Sequence, residues 1–96
     1  MDELKFLQTL EQVIASRLKS ADEASYTARL NAAGTLAVAQ KLGEEGVETA
    51  LAAVAESPER LRAEAADLVY HLLVLLAMRE LRLADVVAEL EQRHKP

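Results

Sequence analysis

The sequence predicts an all-α protein, an antiparallel helical bundle of four to five helices completed by dimerisation. Three observations predict it. Apolar residues recur at three-to-four spacing along most of the chain, only three glycines and two prolines punctuate it, and no β-rich alternating run is present. At 96 residues the chain fits one domain, 1–96. A domain this small buries a modest core, so a metal or a second subunit is expected to complete it.

The first helix is predicted over residues 3 to 19, where Leu4, Leu7, Leu10, Ile14 and Leu18 share one face. Ser20 to Ser25 is a polar break. Within it, Ser20 with Glu23, or Ser25 alone, caps the short helix Tyr26 to Ala33, which Gly34 then ends. A long helix follows over Thr35 to Ala55, rich in alanine, the best helix former. Gly43 and Gly46 lie inside it and each costs about 1 kcal/mol relative to alanine, so a close neighbour, a bound ligand or a local bend is expected there. Ser57-Pro58 is a restart signal, serine as cap and proline at the first helical position, for a helix over Pro58 to Met78. Its second half is apolar on nearly every side, which places it centrally and makes the Leu72 to Met78 stripe core or dimer interface. A last helix, Leu83 to Arg93, carries Leu83, Val86, Val87 and Leu90, and His94-Lys95-Pro96 is expected to fray.

Composition removes several function classes. There is no cysteine, hence no disulfide, no thiolate zinc site and no cysteine nucleophile. The net charge of -5 argues against a basic surface for nucleic acid. Met1-Asp2-Glu3-Leu4-Lys5 lacks the order of a signal peptide. The longest apolar run, Leu68 to Met78, is interrupted by Tyr70 and His71 and is too short to span a bilayer. A cytoplasmic protein without membrane or nucleic-acid partners is the expectation.

The chemistry-bearing feature is Glu44-Glu45-x-x-Glu48 followed by Glu64-x-x-Asp67. Residues three apart lie about 60 degrees apart around a helix, so each pair forms one stripe. Lys41 and Glu44 join the first stripe, and His71 falls one turn beyond Asp67 on the second. The short link at Ser57 makes the two helices antiparallel neighbours, and the acid pairs can converge. Like charges brought together in an apolar setting raise one another's pKa, and a hard cation with oxygen ligands resolves the conflict. Magnesium suits such a set and manganese is compatible. The same spacing also fits a solvated acidic face. Asp67, which opens directly into Leu68-Val69-Tyr70-His71-Leu72-Leu73, is poorly explained that way. His71 is either a packed hydrogen-bonding residue or a substrate contact. Tyr26 and Arg29 either touch a base or phosphate or are a half-buried tyrosine and a surface arginine, with Thr27 and Asn31 as weaker versions of the same choice.

These residues also carry a family resemblance. Ser25-Tyr26-Thr27, Gly34, the run Gln40-Lys41-Leu42-Gly43-Glu44-Glu45-Gly46-Val47-Glu48, and the run from Glu64 through Tyr70-His71-Leu72-Leu73 to Leu76 resemble the phosphoribosyl-ATP pyrophosphatases. That family belongs to the wider all-α nucleoside triphosphate pyrophosphohydrolases. The acid pairs point to the wider group, and the Ser-Tyr-Thr and Tyr-His-Leu-Leu segments narrow it. The resemblance implies hydrolysis of 1-(5-phosphoribosyl)-ATP between the α and β phosphates, the second step of histidine biosynthesis, with magnesium, in a homodimer. It implies Glu45, Glu48, Glu64 and Asp67 as metal ligands, with Glu44, Glu45 and Glu48 as the catalytic acids and Glu44 either binding a second ion or positioning water. It makes Lys41 a phosphate contact, with Tyr26, Arg29 and His71 the other substrate-binding candidates. Arg82 departs from the pattern, because a small capping residue is expected before the last helix. The cyclohydrolase domain fused in some relatives is not expected here. A house-cleaning pyrophosphohydrolase acting on dUTP or a modified dNTP shares the metal site, and a helical dimerisation module with solvated acids shares the fold.

Overall fold

The computed structural model describes every residue except 1, 21 and 23, and among the described residues five helices form: α1 (Lys5–Leu18), α2 (Tyr26–Ala33), α3 (Thr35–Ala55), α4 (Pro58–Met78) and α5 (Leu83–Arg93). The expected all-α bundle is met at five helices. α1 starts later than the apolar spacing suggests, because the Asp2 carboxylate accepts the Leu4 N–H at 3.0 Å in a local turn, leaving Leu4 exposed ahead of the helix.

Local signals account for most boundaries. Ser25 Oγ accepts the Ala28 N–H at 3.2 Å and caps α2, while the alternative cap involving Glu23 lies outside the described residues. A single residue, Gly34, joins α2 to α3 at φ 96° and ψ 166°, a region essentially restricted to glycine. Ser57 Oγ accepts the Arg60 N–H at 3.2 Å, with Pro58 following, so α4 begins where serine and proline require. α4 ends in a Schellman arrangement: the Leu81 N–H reaches Leu76 O at 2.8 Å and the Glu80 N–H reaches Ala77 O at 3.1 Å, with Glu80 at φ 62°.

The start of α5 follows a signal from far along the chain. Arg82 cannot accept a hydrogen bond, so the cap is supplied by neighbours. Glu11 on α1 accepts the Leu83 N–H at 2.8 Å, and Asp85 accepts the Arg82 N–H at 2.9 Å. The departure at Arg82 is thus compensated by carboxylates.

α3 and α4 make the most extensive packing, and α4 also lies on α1. The two-residue link Glu56-Ser57 folds α4 back along α3, so Gly46 comes level with Leu68. Ile14, Val38, Leu73 and Val74 form the buried core, extended by Leu7, Leu10, Leu18, Leu30 and Met78. The central position expected of α4 is borne out by Leu73 and Val74. Gly43 and Gly46 have no close neighbour: a Cβ at Gly43 would meet open space, and one at Gly46 would reach Leu68 Cδ1 at an ordinary 4.0 Å. α3 runs unbroken through both glycines. α5 buries no residue, and among the described residues no helix is long and apolar enough to cross a membrane.

Candidate metal centre

The α3–α4 hairpin brings its acids face to face. Glu45 on α3 and Glu64 on α4 are buried at 5% and 7% exposure, while Glu48 is exposed. One carboxylate oxygen from each of the three lies within 4.8 Å of the others. Asp67 falls outside that group, although its charge still acts on Glu64 from one turn further along α4. Glu44 is exposed and also outside it, close enough for its charge to act on Lys41.

Each buried glutamate is half satisfied. Lys41 Nζ lies 3.4 Å from Glu45 Oε1, and Arg60 Nη2 lies 2.5 Å from Glu64 Oε1. The second oxygens, Glu45 Oε2 and Glu64 Oε2, are buried with no hydrogen-bond partner. Burial chiefly, and then the neighbouring Glu48 carboxylate, hold the Glu64 carboxyl above the usual carboxylate range; the charge of Asp67 adds to this and Arg60 opposes it. The hydrogen bond and charge of Glu45 hold Lys41 above its ordinary value, so it stays cationic.

Two unpartnered buried oxygens on carboxylates within a cluster of like charges are costly unless a cation meets them. The donor set is all carboxylate oxygen, which suits a hard divalent ion. A metal ion fits this glutamate cluster. A groove of about 500 Å³, lined by residues such as Gln8, Glu11, Leu81 and Arg82, shares none of these residues.

α2 is pinned beside the acids by a polar and aromatic cluster. The Asp67 carbonyl can only accept, so His71 Nδ1–H donates to it at 2.7 Å; Nε2 of the neutral ring then accepts from the Tyr26 hydroxyl at 2.8 Å. Both ring nitrogens of buried His71 therefore have partners within the fold. Buried Thr27 bonds through Oγ1 to the Tyr70 hydroxyl, and the Tyr26 and Tyr70 rings stack at 6.3 Å. The Arg29 guanidinium stands over the Tyr26 ring at 5.8 Å. Asn31 faces the other way and donates to Leu18 O at 3.0 Å, closing the end of α1.

Residues 7–94 match the phosphoribosyl-ATP pyrophosphohydrolase family. The chain belongs to that family. It is 58% identical over 89 residues to a phosphoribosyl-ATP pyrophosphatase of Pyrobaculum calidifontis, covering 93% of this chain and 95% of that one. It is likewise 58% identical over 91 residues to the histidine biosynthesis bifunctional protein HisIE of Yersinia pestis, and 53% over 90 residues to that of Campylobacter jejuni. Those matches cover 94% of this chain but only 44% of each bifunctional protein. Membership makes the chain a hydrolase of the pyrophosphohydrolase class.

Within this family member, Arg60 is the residue of the site region that escaped the sequence reading. Arg60 grips Glu64 as Lys41 grips Glu45, each four residues ahead of its partner. That repeated spacing was a usable signal. The Thr27–Tyr70 contact spans 43 residues and had no local signal.

Proposed function

We propose that this protein hydrolyses 1-(5-phosphoribosyl)-ATP to 1-(5-phosphoribosyl)-AMP and pyrophosphate, the second step of histidine biosynthesis, as a magnesium-dependent cytoplasmic enzyme with residues 1–96 acting as one domain. The observation that carries the reading is the pair of buried, unpartnered oxygens on Glu45 and Glu64 within a member of this family.

Glu45, Glu48, Glu64 and Asp67 would hold the ion. Bound magnesium would polarise phosphate oxygens and lower the pKa of a coordinated water. Glu44, exposed beside the ligands, orients the attacking water. Glu45 and Glu48 serve the reaction as ligands, their carboxylates positioning the ion that would offset the negative charge developing on the pyrophosphate. Lys41, kept cationic by Glu45, meets a phosphate oxygen. Tyr26 and Arg29, stacked on each other, touch the base or a phosphate, and His71 orients the Tyr26 hydroxyl. In-line displacement of pyrophosphate then relies mainly on positioning and charge neutralisation.

The active form is proposed as a homodimer. Leu36, Gly43, Val47, Leu51 and Val54 fall within about 80 degrees of one another around α3, opposite the buried Val38, Glu45 and Ala52. Leu36 and Val54 are 83% and 86% exposed, and the core of one chain is small. A second copy is the occupant that covers such a stripe by a two-fold axis. Sedimentation equilibrium should give a dimer that Leu51→Glu weakens; a monomeric wild type sinks this part.

The deciding assay measures pyrophosphate released from phosphoribosyl-ATP with magnesium, beside dUTP and dNTP controls. Selective release, lost in Glu48→Ala and Asp67→Ala, is expected. Preference for dUTP or a dNTP would move the chain to the house-cleaning hydrolases. No release from any nucleotide with magnesium or manganese would overturn the enzymatic reading and favour a dimerisation module.

A further inference from the structure

The acid site has an internal repeat in its charges. On α3 the order is Lys41, Glu45 four residues on, then Glu48 three further; on α4 it is Arg60, Glu64 four on, then Asp67 three further. Both helices place the cation, the buried glutamate and the second acid within about 60 degrees of arc. Because α3 and α4 run antiparallel, each cation lies one turn beyond its glutamate at opposite ends of the cluster.

The two buried glutamates match in detail. Each has one oxygen on its own helix's cation, at 3.4 Å for Lys41 and 2.5 Å for Arg60, and the other oxygen buried without a partner. Arg60 is more than half exposed, and its Nε also lies 3.3 Å from Glu56 Oε1 at the end of α3. Its guanidinium thus stands at the solvent edge of the acids, held only by carboxylates.

We infer that Arg60 is a second phosphate-binding residue, opposite Lys41, whose guanidinium leaves Glu64 for the pyrophosphate part of a bound polyphosphate. This rests on the pyrophosphohydrolase reading of the site. The physical reason is competition for one carboxylate. A divalent ion on Glu64 takes up the charge that holds Arg60, and a doubly ionised phosphate is then the stronger acceptor for its five-donor fork. Cations at both ends would receive the two sides of the bond being broken, with Arg60 on the leaving group.

The test titrates inorganic pyrophosphate into manganese-loaded protein by calorimetry, with manganese binding alone followed by electron paramagnetic resonance. Arg60→Gln is expected to weaken pyrophosphate binding about tenfold or more, with Arg60→Lys recovering part of it. Manganese binding alone should hold or tighten in Arg60→Gln, because a competitor for Glu64 is gone. Pyrophosphate affinity within about twofold of wild type in Arg60→Gln overturns the inference. So does weaker manganese binding in that variant, which would mark Arg60 as a structural prop for Glu64, and so does a wild type that binds no pyrophosphate. Wild-type failure to cut phosphoribosyl-ATP would instead count against the substrate reading, and the pyrophosphate titration still decides Arg60.

Discussion

Adding magnesium or manganese to metal-stripped protein should raise its melting temperature by an amount set by the glutamate cluster. Three carboxylates approach within 4.8 Å, and two of their oxygens are buried without partners, so the folded chain offers a preformed oxygen site that the unfolded chain lacks. A ligand that binds only the folded state at one hundred times its dissociation constant adds about 2.7 kcal/mol. For a domain of this length each kcal/mol moves the midpoint by about 4–8 °C, so the expected rise is roughly 11–22 °C. Circular dichroism melts in EDTA and across a metal titration measure it. Glu45→Gln and Glu64→Gln keep the side-chain shape but remove ligand charge, and should lose most of the rise. In EDTA, Glu64→Gln should melt no lower than wild type, since it relieves like-charge crowding. A wild-type shift below about 2 °C at saturating metal would falsify the reasoning. An undiminished shift in both variants would place the ion elsewhere.

Three further outcomes follow from particular contacts. Glu64 binds its proton more tightly folded than unfolded, so without metal its contribution to stability is full below the ordinary glutamate range and is lost as pH rises through the folded-state value. With saturating magnesium the ligands must be deprotonated and the trend should reverse; urea midpoints in EDTA across about pH 4 to 8 that run parallel to those of Glu64→Gln would refute this. Tyr26→Phe leaves Nε2 of buried His71 without its donor and should cost about 1–3 kcal/mol in urea unfolding, a loss under about 0.5 kcal/mol being evidence against the hydrogen bond. Gly34→Ala forces a Cβ into backbone at φ 96° and ψ 166° and should cost about 1–3 kcal/mol by the same measurement, whereas an unchanged midpoint would mean that the turn relaxes freely.

The helices were legible because their signals are local. Ser25, Gly34 and Ser57-Pro58 act within four residues of where they stand, and the three-to-four apolar spacing of α1, α3 and α4 carries the rest. The start of α1 was misplaced because a competing local bond intervened, Asp2 capturing the Leu4 N–H, whereas α5 has its expected bounds although its cap comes from Glu11, 72 residues away. Gly43 and Gly46 invited a close neighbour, and the single chain supplies none.

By itself, then, the sequence determined which acids share a helix face, because helical geometry turns spacing into direction. It could not say whether those faces were wet or dry. Only the tertiary packing decided that Glu45 and Glu64 are buried with one oxygen each unpartnered while Glu48 is exposed, and that Asp67 stands outside the group of three. Packing likewise gave His71 a partner for each nitrogen, on Asp67 and Tyr26. The physical reason is that burial and hydrogen-bond satisfaction depend on which helix lies opposite, and that is a property of the whole chain's arrangement.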